Sequence, residues 1–151
     1  MNILDTKYIY SSGIIVSNIP IILNTVLGSC ISVCLWDEKR KIGGMNHYML
    51  PLWNGNGLAS PKYGNIAIEQ LLKKMHMHNC TNNTIVAKIF GGARMLHNQS
   101  QFFDIGKRNI ELAHELLEHE KIRIIAQSTG GKKGRKIFFN TQNGEVLQKL
   151  L

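Results

Sequence analysis

The chain is poor in acid, in cysteine and in proline. Asp and Glu together number 10 of 151 residues against 18 Lys and Arg, which gives a net charge of +8 and a pI near 9.6. That balance excludes an acidic, self-solvating chain and favours an acidic partner: nucleic acid, an anionic membrane or an acidic protein surface. Only three cysteines are present, Cys30, Cys34 and Cys80. An odd, uneven set makes a poor disulfide framework, so free thiols in a reducing compartment are expected. No apolar run approaches the roughly 20 residues that span a bilayer. Nor does the start, Met1-Asn2-Ile3-Leu4-Asp5-Thr6-Lys7, carry the basic lead and apolar block of a signal peptide. The expectation is a cytoplasmic protein without membrane insertion.

What is present suits a folded protein: 44% hydrophobic and 19% charged residues, with no repeat and no low-complexity tract. A single domain over residues 1–151 is long enough to bury a core without metal or disulfide help. Short β-branched or aromatic runs predict strands over 22–26, 31–36, 41–50, 85–90, 122–127, 135–140 and 146–150. Apolar residues at helical spacing predict helices over 63–78 and 106–120. Between them, 54–61 is rich in Asn, Gly and Pro and reads as a loop. Strands outnumber helices and cluster at both ends of the chain. The expected fold is therefore an α/β (α+β) sandwich of mixed β-sheets with two main helices, not a doubly wound nucleotide fold.

One constellation carries chemistry. Leu27-Gly28-Ser29-Cys30 places a thiol behind two small residues at a loop-to-strand junction, with open backbone N–H groups beside it. Seventeen residues on, His47 closes Gly43-Gly44-Met45-Asn46-His47. Imidazole titrates near neutral pH and can draw the proton from a thiol, the minimum for thiolate catalysis. A base needs an orienting partner, and Asn24, Thr25 and Ser29 are all candidates. Cys34, inside an apolar strand, and Cys80, after a helix, read as buried small hydrophobes.

Three other features read as structure. In His76-x-His78-x-Cys80 the spacing sends the side chains to different sides of a helix, so a solvated helix end is expected and no metal. Gly91-Gly92-Ala93 lacks the Lys and Ser/Thr of a phosphate loop and reads as a tight strand exit packed on another backbone. Gly130-Gly131-Lys132-Lys133-Gly134-Arg135-Lys136 reads as a basic hairpin turn, or as a docking patch for an acidic protein or nucleic acid. No aromatic residue interleaves with those charges, which argues against nucleic acid.

Taken in order along the chain, five stretches resemble the CheD family, the chemoreceptor glutamine deamidases of bacterial and archaeal chemotaxis. They are Leu27-Gly28-Ser29-Cys30 with the strand after it, Gly43-Gly44-Met45-Asn46-His47-Tyr48-Met49-Leu50-Pro51, and Ala87-Lys88-Ile89-Phe90-Gly91-Gly92-Ala93-Arg94-Met95. Ile105-Gly106-Lys107-Arg108-Asn109 and Gly130-Gly131 through Gly134-Arg135-Lys136 complete the set. The resemblance implies a fold similar to the catalytic domain of cytotoxic necrotising factor toxins. It implies a cysteine-dependent protein-glutamine glutaminase that converts glutamines of methyl-accepting chemotaxis receptors to glutamate through a thioester, with glutamyl methyl esters as related substrates. It also implies a CheC-type phosphatase as a further partner and no cofactor. The competing reading is a non-catalytic adaptor that binds receptors or such a phosphatase.

By position, Cys30 matches the family's nucleophile and His47 its general base. The family's third residue is a threonine shortly before the cysteine; at the gapless match this chain has Asn24, with Thr25 one step later. A one-residue slip in a strand sends a side chain to the opposite face. Thr25 is taken as the orienter, with Asn24 the alternative. A second departure is Ser128-Thr129, where the family commonly carries an acid before the late Gly-Gly, a change that bears on partner contacts more than on chemistry.

Overall fold

The computed structural model describes residues 3–95 and 104–151. Its elements run β1 (Asp5–Tyr8), β2 (Ile14–Ser17), β3 (Ile21–Leu27), β4 (Ile31–Asp37), β5 (Ile42–Asn46), α1 (Gly64–Met77), β6 (Ile85–Gly91), α2 (Ile105–His119), β7 (Arg123–Thr129), β8 (Arg135–Asn140) and β9 (Val146–Leu150). They form two mixed sheets. A five-stranded sheet has the order β2-β5-β4-β6-β7, and a four-stranded sheet the order β1-β3-β8-β9.

Three layers result, because the central strands are apolar on both faces. Along β4, Ile31, Val33 and Leu35 face α1 and α2, where they meet Ala67, Ile68, Leu71, Ala113 and Leu117. The alternate positions face the other way, so Cys34 packs with Met45, Leu23, Leu27, Ile137 and Phe139 between the two sheets. The helices cover one face of the five-stranded sheet; the four-stranded sheet covers the other.

The strand expected over 41–50 is shorter. β5 ends at Asn46, and the residues beyond it make only isolated bridges, Ile31 with Tyr48 and Leu50 with Tyr63. The side chain of Asn46 explains the break, because its Oδ1 accepts the Val33 N–H at 2.8 Å in place of a backbone carbonyl. His47 instead turns its backbone to the other neighbour, donating to the Gly13 carbonyl at 3.2 Å and accepting from the Ser12 N–H at 2.8 Å. Two strands, β1 and β2, lie where no strand is predicted. All four residues of β1 are exposed and three are polar, so no alternation marks it; parallel pairing with β3 holds it.

Candidate active site

Cys30 lies in the short segment that crosses from β3 in one sheet to β4 in the other, at the edge where the sheets meet. Two contacts seat this segment on the exit of β6. Gly92 N–H donates to the Cys30 carbonyl at 2.9 Å and Ala93 N–H to the Gly28 carbonyl at 2.9 Å. Only glycine serves at Gly91: its φ is +109°, and a Cβ there would stand 2.1 Å from the Cys30 carbonyl oxygen. Gly106 allows α2 equally close, since a Cβ would fall 2.4 Å from the Gly92 carbonyl oxygen. The glycine pair is thus a close-packed strand exit.

Register places Cys30 and His47 on one face of adjoining segments. Ile31 and Tyr48 exchange both backbone hydrogen bonds, at 3.0 and 2.9 Å. Cys30 and His47, each one residue to the side of that pair, project from the opposite face as diagonal neighbours. Such positions stand about 7–8 Å apart at Cα, within reach for an imidazole. That face looks toward the four-stranded sheet, and there Thr25 waits on β3.

Thr25 is fully buried and His47 is 5% exposed. Thr25 Oγ1 lies 2.8 Å from His47 Nδ1 and 2.7 Å from the Ile9 carbonyl oxygen. A hydroxyl has one proton, and a carbonyl can only accept. Thr25 therefore donates to Ile9 and accepts from Nδ1–H. This assigns the tautomer: Nδ1 carries the proton and Nε2 keeps its lone pair. Asn24, the alternative orienter, points to the other side of β3, where its Nδ2 donates to the Lys7 carbonyl at 3.2 Å. Ser29 offers its carbonyl to the site's frame, as described below.

Burial sets the charge states. Desolvation lowers the His47 pKa below its ordinary 6.5, opposed in part by the Ile9 carbonyl, so the ring is a neutral base at pH 7. Desolvation likewise raises the Cys30 thiol above its ordinary value, with its own backbone N–H pulling it back. Both shifts favour the neutral forms, thiol and imidazole. Cys30 is half-buried, and its own backbone N–H points at the thiol. Cys34 and Cys80 are buried, and desolvation pushes Cys80 to about 12 and Cys34 higher still.

Sequence reasoning names Asn109 only within a motif, and the structure gives it a clear task. Fully buried on α2, it donates from Nδ2 to the Ser29 carbonyl and to the Met49 carbonyl, both at 3.0 Å. Its own carbonyl accepts the Tyr48 hydroxyl at 2.6 Å. One side chain thus ties the residue before the thiol to the segment after the imidazole. Three buried polar atoms around this frame lack a protein partner: Ser32 Oγ, Asn46 Nδ2 and Asn109 Oδ1. Ser32 lies two residues beyond Cys30 and opposite His47 in register.

A half-buried thiol, a neutral imidazole and a buried hydroxyl bonded to that imidazole thus lie between the two sheets, groups of the kind that acyl transfer through a cysteine uses. Comparison with known proteins narrows that class. The model of the CheD chemotactic sensory transduction family matches residues 49–150. A protein of Sulfurimonas denitrificans is 48% identical over 146 residues, covering 96% of this chain and 94% of its own length. One from Trichlorobacter lovleyi is 54% identical, over 83% of this chain and 78% of its own. Both carry the name "Probable chemoreceptor glutamine deamidase CheD". The chain belongs to the CheD family. At the level of fold alone it is also similar to the Bacillus licheniformis hypothetical protein YfiH, with a TM-score of 0.51 and 17% identity, over 76% of this chain and 49% of that one.

Proposed function

We propose that residues 1–151 form one domain that acts as a cysteine-dependent protein-glutamine deamidase on chemotaxis receptors. The observation that carries this reading is the Ile9–Thr25–His47 hydrogen-bond chain, which leaves Nε2 unprotonated on the face it shares with Cys30.

The reaction is acyl transfer. His47 Nε2 takes the Cys30 proton as Sγ bonds to the carboxamide carbon of a receptor glutamine. The carbonyl oxygen becomes an oxyanion, held by backbone N–H groups beside Cys30; a donor of this kind typically contributes about 3–4 kcal/mol. His47 returns the proton to the amide nitrogen, the C–N bond breaks and ammonia leaves a thioester. Water then attacks that carbon and gives its proton to His47, which passes it to the departing thiol. One amide and one water become one carboxylic acid and one ammonia, with no cofactor used. A glutamyl methyl ester fits the same steps, with methanol leaving. Because both resting groups are neutral, proton transfer accompanies attack.

The test is mass spectrometry of a receptor cytoplasmic fragment incubated with wild type and with Cys30→Ala. Wild type is expected to convert glutamines to glutamates and Cys30→Ala to leave them intact. Equal conversion by both proteins would overturn the reading.

A CheC-type phosphatase as partner comes from the family resemblance, and a cytoplasmic location from the free cysteines. No helix among the described residues is long and apolar enough to cross a membrane. Stoichiometric co-elution with such a phosphatase tests the partner, and cell fractionation the location.

A further inference from the structure

The ten carboxylates are distributed with a bias that the fold turns into geometry. They are Asp5, Asp37, Glu38, Glu69, Asp104, Glu111, Glu115, Glu118, Glu120 and Glu145. None falls in 6–36, 39–68, 70–103 or 121–144. Those four stretches supply Thr25, Cys30, His47, the glycine exit at Gly91 and the basic turn. Asp37 and Glu38 lie at the end of β4 remote from Cys30, and four of the remaining acids lie on or just after α2.

One group of cations does lie beside the site. Residues 130–134 form the turn between β7 and β8, and this turn is fastened to the walls of the site. Gly130 N–H donates to the Gly91 carbonyl at 2.9 Å, and the Gly131 carbonyl accepts from Arg94 N–H at 2.8 Å. At its far side a Cβ on Gly134 would lie 3.1 Å from the Leu27 carbonyl oxygen. Lys132 and Lys133 are exposed at its tip. Next along β8, Lys136 stands directly opposite Lys149 of β9, in register. Like charges so paired repel each other unless an anion lies over them. Arg135, by contrast, is buried and structural, donating to the Gly91 and Gly130 carbonyls at 3.4 and 2.9 Å.

We propose that Lys132 and Lys133, supported by Lys136 and Lys149, form an electropositive docking rim for an acidic protein segment that presents the target glutamine to Cys30. The proposal rests on the deamidase reading, which is why the occupant is a protein. Steering by such a rim raises encounter rate and selects partners more than it adds raw affinity, and it weakens with salt.

Two measurements test the rim. Cys30 is alkylated with anionic iodoacetate and with neutral iodoacetamide, a ratio that reads the local potential whatever the natural substrate is. In Lys132→Glu/Lys133→Glu this ratio is expected to fall about threefold or more at low ionic strength. A matched double reversal at the remote end of the sheet, Lys39→Glu/Arg123→Glu, is expected to leave it within about 1.5-fold, being beyond the Debye length of about 10 Å. In parallel, kcat/KM on a receptor fragment is expected to drop about tenfold in the rim variant, with the difference closing as salt is raised.

A ratio that does not move, or moves equally in the remote variant, overturns the rim. So does a shifted ratio with unchanged kcat/KM, or retention of duplex DNA on these lysines in place of the receptor fragment. If no protein deamidates any fragment, wild type included, while the ratio shifts as expected, the deamidase reading fails and the electropositive mouth stands.

Discussion

Thr25 on β3 and His47 beyond β5 come from different sheets, and the 2.8 Å hydrogen bond between their side chains is a polar tie between the two layers. Its direction is set by a third group, the Ile9 carbonyl, which consumes the only proton Thr25 has.

Substitution at Thr25 should accordingly depend on the hydroxyl. Thr25→Ser keeps the acceptor and is expected to retain most of the activity. Thr25→Val keeps shape and is expected to lower kcat about ten- to a hundredfold, part of the roughly 10²- to 10⁴-fold typical of a positioned general base. Asn24→Ala, on the outer side of the strand, is expected to change kcat less than about twofold, since surface changes away from a site cost little. Steady-state deamidation of a receptor fragment distinguishes the three.

Thiol reactivity separates the cysteines. At neutral pH Cys30 is expected to react with iodoacetamide much faster than Cys34 or Cys80, which are buried and further from ionisation. His47→Gln should slow Cys30 and leave the other two unchanged. Peptide mapping after timed quenching reads all three, and equal rates would favour the adaptor over the enzyme.

The pH dependence follows from the direction of each shift. Because burial lowers His47 below 6.5, the acid limb of kcat/KM is expected below that value. For stability the unfolded chain binds the proton more readily than the folded one. The contribution is therefore fully present above about 6.5 and is lost as pH falls through 6.5 toward the folded value. Thermal melts of wild type and His47→Gln across that range check this: the wild-type slope should shrink in the variant. Since Cys30 is raised, its alkylation rate should still be climbing past pH 9.

Asn109 is expected to act on catalysis through position. Asn109→Ala removes two hydrogen bonds to buried carbonyls, each typically costing about 1–3 kcal/mol when left unmade. Asn109→Asp also loses both donors and brings a carboxylate against the Ser29 and Met49 carbonyls. Both should lower the melting temperature. A positional role further predicts a loss of the Cys30 alkylation advantage at temperatures where circular dichroism shows the variant fully folded; a purely structural role leaves that advantage intact.

Much of the fold was legible because it follows simple periods. The helices expected over 63–78 and 106–120 are found at Gly64–Met77 and Ile105–His119. Alternation along β3 places Leu23, Thr25 and Leu27 inward, so the one-residue offset between Asn24 and Thr25 decides which of them can meet His47. Strand β1 was not legible, since Asp5-Thr6-Lys7-Tyr8 buries nothing and exists by pairing with β3. The Ile9 carbonyl and the double grip of Asn109 were hidden for another reason. A backbone oxygen has no residue signature, and Asn109 acts on segments 80 and 60 residues away in sequence. Local pattern reveals the reacting groups but not the long-range contacts that aim them.

The parallel seam between β1 and β3 has a consequence for the order of events in folding. Ile9, the terminus of the proton chain, directly follows β1 and donates its own N–H to the Asn24 carbonyl at 2.8 Å. A chain with this segment undocked keeps Cys30, His47 and Thr25 but loses the Ile9 carbonyl that fixes which way the Thr25 hydroxyl points. On the proposed mechanism, the leading strand must be paired with β3 before the hydrogen-bond chain behind His47 is complete.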